Sequence, residues 1–230
     1  MGQITPDTAF GAALRALAMD PRHRFWVEAG GSDGQGSTRC IMDGFADRAE
    51  DDVPAPELIS IEAHPEFHRI ATEYWKGSDP SLGLPRNLHF VWGRLAESMM
   101  GEQEVRNHPL FEKVRDHFNL HFRSDQEMLR MAPVVRPNYC DVAVLDGGEF
   151  CGAADWAAIR VLKPKVVALN DIQSMKNYDV YKKLLWSGWR VLFVTAERNG
   201  SAILESPGMD EKYYSDAPIP EPVGYSGWGC

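Results

Sequence analysis

Five short apolar runs, each followed by a stretch with helical spacing of apolar residues, limit what this chain can fold into more than any other feature. They are Phe25-Trp26-Val27, Leu58-Ile59-Ser60-Ile61, Asn87-Leu88-His89-Phe90-Val91-Trp92, Asp141-Val142-Ala143-Val144-Leu145 and Lys165-Val166-Val167-Ala168-Leu169. Runs this short and continuously apolar suit strands buried on both faces, and strands that alternate with helices build a parallel sheet through crossover connections. Two further strand-like runs, 189–196 and 201–204, meet near Asn199-Gly200, the strongest short-range hairpin signal a sequence offers. The expected fold is therefore α/β: a doubly wound, mostly parallel seven-stranded sheet with a C-terminal antiparallel hairpin and helices on both faces.

The spacing predicts helices over 5–19, with Asp7 or Thr8 as its cap, and over about 37–48, 65–75, 153–162 and 178–186; another is expected to begin over 95–100. Residues 1–22 are read as an N-terminal helix and 23–205 as the main domain. Residues 101–133 form a helical insertion too short for a core of its own. Residues 206–230 are a tail rich in Pro, Gly and aromatic residues, expected to fold back through Tyr213, Tyr214, Tyr225 and Trp228.

Charge narrows the partners. A formal net charge of -9 over 230 residues disfavours a nucleic-acid groove, which depends on clustered Lys and Arg. Cys40, Cys140, Cys151 and Cys230 include no close pair, so neither a zinc knuckle nor a disulfide framework is indicated, and free thiols are expected. No segment has signal-peptide character, no run of about 18 apolar residues occurs, and Pro6 stands where a myristoylation motif needs Ser or Thr. The expectation is a cytoplasmic protein with a small-molecule partner and no membrane or nucleic-acid partner; oligomeric state is not legible.

Chemistry gathers at the strand ends. The first strand ends in Glu28 and enters the glycine-rich loop Gly30-Gly31-Ser32-Asp33-Gly34-Gln35-Gly36-Ser37-Thr38; the second ends in Glu62, the fourth in Asp146 and the fifth in Asn170-Asp171. In parallel sheets ligands bind at the carboxyl ends of the strands. A glycine loop alone fits an ordinary tight turn equally well, but four polar strand ends together indicate a site.

With these residues in place the chain resembles the class I S-adenosylmethionine-dependent methyltransferases over about 25–204. The resemblance implies S-adenosylmethionine as cofactor, bound by Glu28, Gly30, Gly34 and Ser37 of the loop, by Glu62 at the ribose hydroxyls, and by Gly93 beside the adenine. Asp146 and Asp171 are the implied catalytic residues. Asp146, Asn170 and Asp171 also look similar to the magnesium positions of catechol-type and macrolide-sugar O-methyltransferases, so Mg²⁺ is a second implied group. Here the Asp-Asn order of the catechol type is reversed, the lysine following the first aspartate is absent, and the glycine loop is one residue longer than usual. Without a metal, Asp146 would order the cofactor's surroundings and Asp171 would cap the next helix. The implied reaction is direct methyl transfer to a hydroxyl of a small molecule or sugar, since no Asn/Asp-Pro-Pro-Tyr/Trp motif follows the fourth strand.

Other residues carry weaker signals. His117 and His121 share a helix face without a zinc-protease glutamate, and either could serve as a base. His64 follows Glu62 closely; Lys176 and Tyr178 lie just beyond Asp171. The competing readings are a nicotinamide-dependent oxidoreductase, disfavoured by the hairpin, and a non-catalytic methyltransferase-like binding module.

Overall fold

Pairing of the apolar runs builds one sheet. The computed structural model describes residues 4–48, 54–77, 83–134 and 137–214. Strands β1 (Phe25–Ala29), β2 (Glu57–Glu62), β3 (Leu88–Trp92), β4 (Val142–Leu145), β5 (Val166–Asn170), β6 (Arg190–Thr195) and β7 (Ser201–Glu205) lie in the order β3-β2-β1-β4-β5-β7-β6. The pairs among β1 to β5 are parallel, and β7 runs antiparallel to both β5 and β6. The expected α/β sheet and its closing hairpin are both present. The order reverses between β1 and β4, the place where such sheets open a crevice.

Two-residue periodicity sorts the central strands onto two cores. Trp26, Leu58, Val142, Val144, Val166 and Ala168 pack under α1 (Ala9–Met19) and α2 (Ser37–Ala46). Val27, Ala29, Ala143, Leu145, Val167 and Leu169 pack on the other face with α7 (Gly152–Ile159) and α8 (Tyr178–Trp186). Covering both faces explains why β4, and β5 up to its closing Asn170, are apolar, and why both are buried at every residue.

Between β3 and β4 lie α4 (Glu102–Asn107), α5 (Phe111–Val114) and α6 (Phe118–Met128), whose Val105, Val114 and Phe118 form a small third core with Phe150 and Met175. Helix α3 (Pro65–Lys76) starts on Pro65, as a ring with fixed φ and no N–H permits.

Two local expectations are corrected. The helix expected over 95–100 does not form, because its backbone is engaged elsewhere: Arg94 N bonds Ala132 O (3.1 Å), Val134 N bonds Arg94 O (3.0 Å) and Met100 N bonds Phe150 O (2.9 Å). The first helix begins at Ala9 rather than residue 5, capped by Thr8, whose Oγ1 accepts from Gly11 N at 3.1 Å. The hairpin forms where expected and closes through a five-residue loop, 196–200, with Arg198 at φ 60° and Gly200 at φ 71°. Of the tail, Tyr214 does fold back: it is buried, donates from its hydroxyl to Pro164 O (3.0 Å), and sets its ring edge-on to Trp189. Tyr225 and Trp228 lie outside the described residues.

Helices α1 and α2 touch at Gly44, where an added Cβ would stand 2.5 Å from Arg15 O and 2.6 Å from the Ala18 Cβ. Gly44→Val should therefore wedge the pair apart and lower unfolding free energy by about 1–3 kcal/mol in urea titrations. A change within a few tenths would refute this packing.

Candidate functional site

A cavity of about 920 Å³ opens at the carboxyl ends of the parallel strands. Gly30, Gly31, Ser32 and Asp33 line it, with Gly36 and Ser37 at the start of α2, Glu62 at the end of β2, and Gly93 after β3. Gly36 caps α2 with no side-chain hydrogen bond, and it lines the cavity together with Ser37 of the first turn, where a helix carries amides without an intrahelical partner. The Glu62 carboxylate accepts Ser32 N and His64 N, both at 2.7 Å, one on each oxygen. Burial raises its pKa, opposed by those two amides. Each oxygen keeps a lone pair for a further donor.

Two loop residues named from sequence lie elsewhere. Period two places Glu28 with Trp26 on the face toward α2, so its carboxylate is fully buried below the loop. There Oε2 accepts from Thr38 Oγ1 (2.5 Å) and Ser60 Oγ (2.6 Å), and burial pushes the pKa up against the hydroxyl bonds. Gly34, at φ 75°, turns to α3: Trp75 Nε1 donates to its carbonyl at 2.9 Å, and a Cβ would crowd that indole at 3.0 Å. Neither Glu28 nor Gly34 is part of the cavity wall.

Asp146, Asn170 and Asp171 do converge on the cavity, but around a lysine. Lys176 Nζ stands 2.8 Å from Asp146 Oδ1 and 3.0 Å from Asp171 Oδ2. Asn170 Nδ2 donates to the same two oxygens at 3.0 and 3.2 Å, and its Oδ1 accepts from Ser201 Oγ at 2.9 Å. Burial is the largest single influence on Lys176 and would lower its pKa, yet the charges of Asp146, Asp171 and Glu149 together outweigh it and raise it. The residue is therefore a standing ammonium. Its position is set by Asn177, whose Nδ2 donates to Leu145 O (2.9 Å) and Asn170 O (2.7 Å), joining the ends of β4 and β5.

The residues expected around magnesium are brought together, but one oxygen of each carboxylate, Asp146 Oδ1 and Asp171 Oδ2, already faces N–H donors, and Asn170 turns its donor side toward them. Among the described residues, no group of three or more His, Cys, Asp or Glu is arranged to hold a metal ion.

The insertion walls the cavity through α6, which contributes Leu120, His121, Ser124, Asp125 and Met128. Asp125 Oδ2 accepts Phe150 N at 2.7 Å, tying α6 to the loop after β4. His121 lines the cavity and His117 does not; burial, then the charges of His117 and Lys176, lower the pKa of His121 and so favour its uncharged form. Tyr178 instead sets its ring edge-on to His108, at 5.8 Å between centroids. Asp155, on α7, and Arg198, in the hairpin loop, also reach the cavity and were not legible beforehand. The pair Gly147-Gly148 was the available signal, since a Cβ on either would strike Asp155 or Asp125.

Asp155 makes a pH prediction. Burial, then the charge of Asp125, raises its pKa from 3.8 to about 7. Between those values the folded state holds a proton that the unfolded state has lost, so stability falls as pH rises from about 4 to 7, at up to about 1.4 kcal/mol per pH unit for this group. Asp155→Asn should flatten that slope in urea titrations across the range; an unchanged slope would assign it to other groups.

No family model matches the sequence, and no curated protein matches it significantly. Solved structures do match. A methyltransferase from Geobacter sulfurreducens superposes with a TM-score of 0.52 at 12% identity, over 89% of this chain and 82% of that one. The O-methyltransferase TomG from Streptomyces achromogenes, involved in tomaymycin synthesis and solved with S-adenosylmethionine, superposes at 0.50 and 15% identity, over 86% and 79%. At such identities the likeness concerns architecture, and it agrees with the strand order and the antiparallel β7. The chain has the fold of the class I S-adenosylmethionine-dependent methyltransferases.

Proposed function

We propose that the protein is an S-adenosylmethionine-dependent methyltransferase acting on a hydroxyl of a small molecule or sugar. The observation that carries this reading is the shared cavity: Glu62 and the uncapped start of α2 face the same space as Asp146, Lys176 and His121. A carboxylate with spare lone pairs suits a pair of ribose hydroxyls, and free helix amides suit the carboxylate of an amino acid. Gly93 and Leu95, with Phe67 of α3, offer a flat apolar edge for adenine. When bound, the cofactor supplies an electrophilic methyl carbon, and its sulfur keeps the electron pair of the broken bond as a neutral thioether.

The chain's own residues then have distinct tasks. Gly30 to Asp33 and Glu62 orient the cofactor, and orientation accounts for most of the acceleration that such a displacement needs. His121, on the wall with its pKa lowered by burial, takes the proton of the acceptor hydroxyl. The Lys176 ammonium stabilises the negative charge growing on the acceptor oxygen, at a site where burial strengthens such an interaction. Helix α6 limits water above them. A hydroxyl acceptor is favoured because this pairing of a proton acceptor with a fixed cation suits an oxygen that must lose a proton.

Calorimetry tests the reading at its root. The protein should bind S-adenosylhomocysteine and S-adenosylmethionine but not NAD, and Glu62→Ala should weaken binding by about 10–100-fold, the loss of two charge-assisted hydrogen bonds. Wild-type protein that ignores both sulfur ligands, or a Glu62→Ala variant that binds them normally, would sink it.

A further inference from the structure

We propose that Lys176 is the built-in cation of the acceptor end of this cavity: its ammonium holds, between Asp146 and Asp171, the place a divalent ion would take, and the acceptor oxygen is held by Lys176 without a metal. The inference rests on the reading of the cavity as a methyltransferase site.

The donor set carries it. Magnesium requires near-octahedral oxygen ligands at about 2.0–2.1 Å. Asp146 Oδ1 serves Lys176 at 2.8 Å and Asn170 Nδ2 at 3.0 Å, while Asp171 Oδ2 serves the same two nitrogens at 3.0 and 3.2 Å. The one neutral acceptor of the trio, Asn170 Oδ1, is spent on Ser201 at 2.9 Å. A divalent ion here would have to displace the ammonium and rotate the amide, and beside the ammonium it would meet like-charge repulsion.

The backbone is built to deliver this lysine. Asp171 takes a left-handed turn at φ 55°, a conformation aspartate tolerates better than most residues. Ser174 Oγ donates to Asp171 O (3.1 Å) and accepts Lys176 N (3.2 Å). The hairpin loop holds the same segment from outside, Asn199 O accepting Gln173 N at 2.7 Å and Gly200 O accepting Ile172 N at 3.0 Å. Gly152 at the start of α7 lies so close to Lys176 O that any Cβ would collide with it. An ammonium has three N–H groups. Asp146 and Asp171 take two, and the third is left for an oxygen in the cavity.

Manganese titration followed by electron paramagnetic resonance tests the assignment without cofactor or acceptor, Mn²⁺ standing in for Mg²⁺ at hard oxygen ligands. Wild-type protein should show no saturable Mn²⁺ binding at about 1 mM. Lys176→Met and Lys176→Gln, which expose the carboxylate pair, should gain a site at least about tenfold tighter, lost again when Asp171→Asn is added. Saturable wild-type binding abolished by Asp171→Asn would overturn the proposal, as would folded Lys176 variants that bind no better than wild type. If neither variant folds, the wild-type titration decides by itself. Calorimetry with S-adenosylhomocysteine on the same samples separates failure of this inference from failure of the methyltransferase reading.

Discussion

The arrangement of the cavity depends on one buried ammonium. Lys176 reaches from the segment before α8 to carboxylates at the ends of β4 and β5, and it also feels the charges of Asp125, Glu149 and Asp155 from α6, the loop after β4, and α7. Several carboxylates near one cation could not all stay ionised in a low-dielectric space without it. Its removal would leave the half-buried Asp146 and the buried Asp171 with only the Asn170 amide as donor, a loss of charge compensation. Structure and chemistry meet in the same group, because the charge that makes the acid cluster tolerable is the charge that can meet an acceptor oxygen.

The other half of the cavity rests on a different device. Glu28 lies below the glycine loop, shared among hydroxyls from α2 and β2. It links β1, β2 and the first turn of α2 from underneath, while Glu62 links the loop and the start of α3 from the cavity side. The two acids look equivalent in the sequence, each closing an apolar strand. They differ because one points into the layer between sheet and α2 and the other to the rim.

Much of the architecture was legible because it depends on local periodicity. Val142 to Leu145 and Val166 to Leu169 are continuously apolar since both faces are covered, and Thr8 and Pro65 mark helix starts by their own chemistry. Where reading failed, long-range bonds had overridden local preference. Residues 95–100 looked helical, but the backbone at the two ends of the stretch pairs far away in the chain, Arg94 with Ala132 and Val134 and Met100 with Phe150. The Asn199-Gly200 pair signalled the hairpin, but not that the carbonyls of its loop would accept from Ile172 and Gln173.

The sequence by itself determined the sheet, its hairpin, and the set of polar strand ends, because side-chain periodicity and turn chemistry act over a few residues. Only the tertiary structure decided what those ends do together. Glu28 sank below the loop while Glu62 stayed at the cavity, and the carboxylates expected around a magnesium ion closed on Lys176, thirty positions beyond Asp146. Spacing cannot reveal such a meeting: the ammonium arrives through a left-handed turn at Asp171 and a close approach at Gly152, and its charge satisfies the carboxylates only where the strands bring them together.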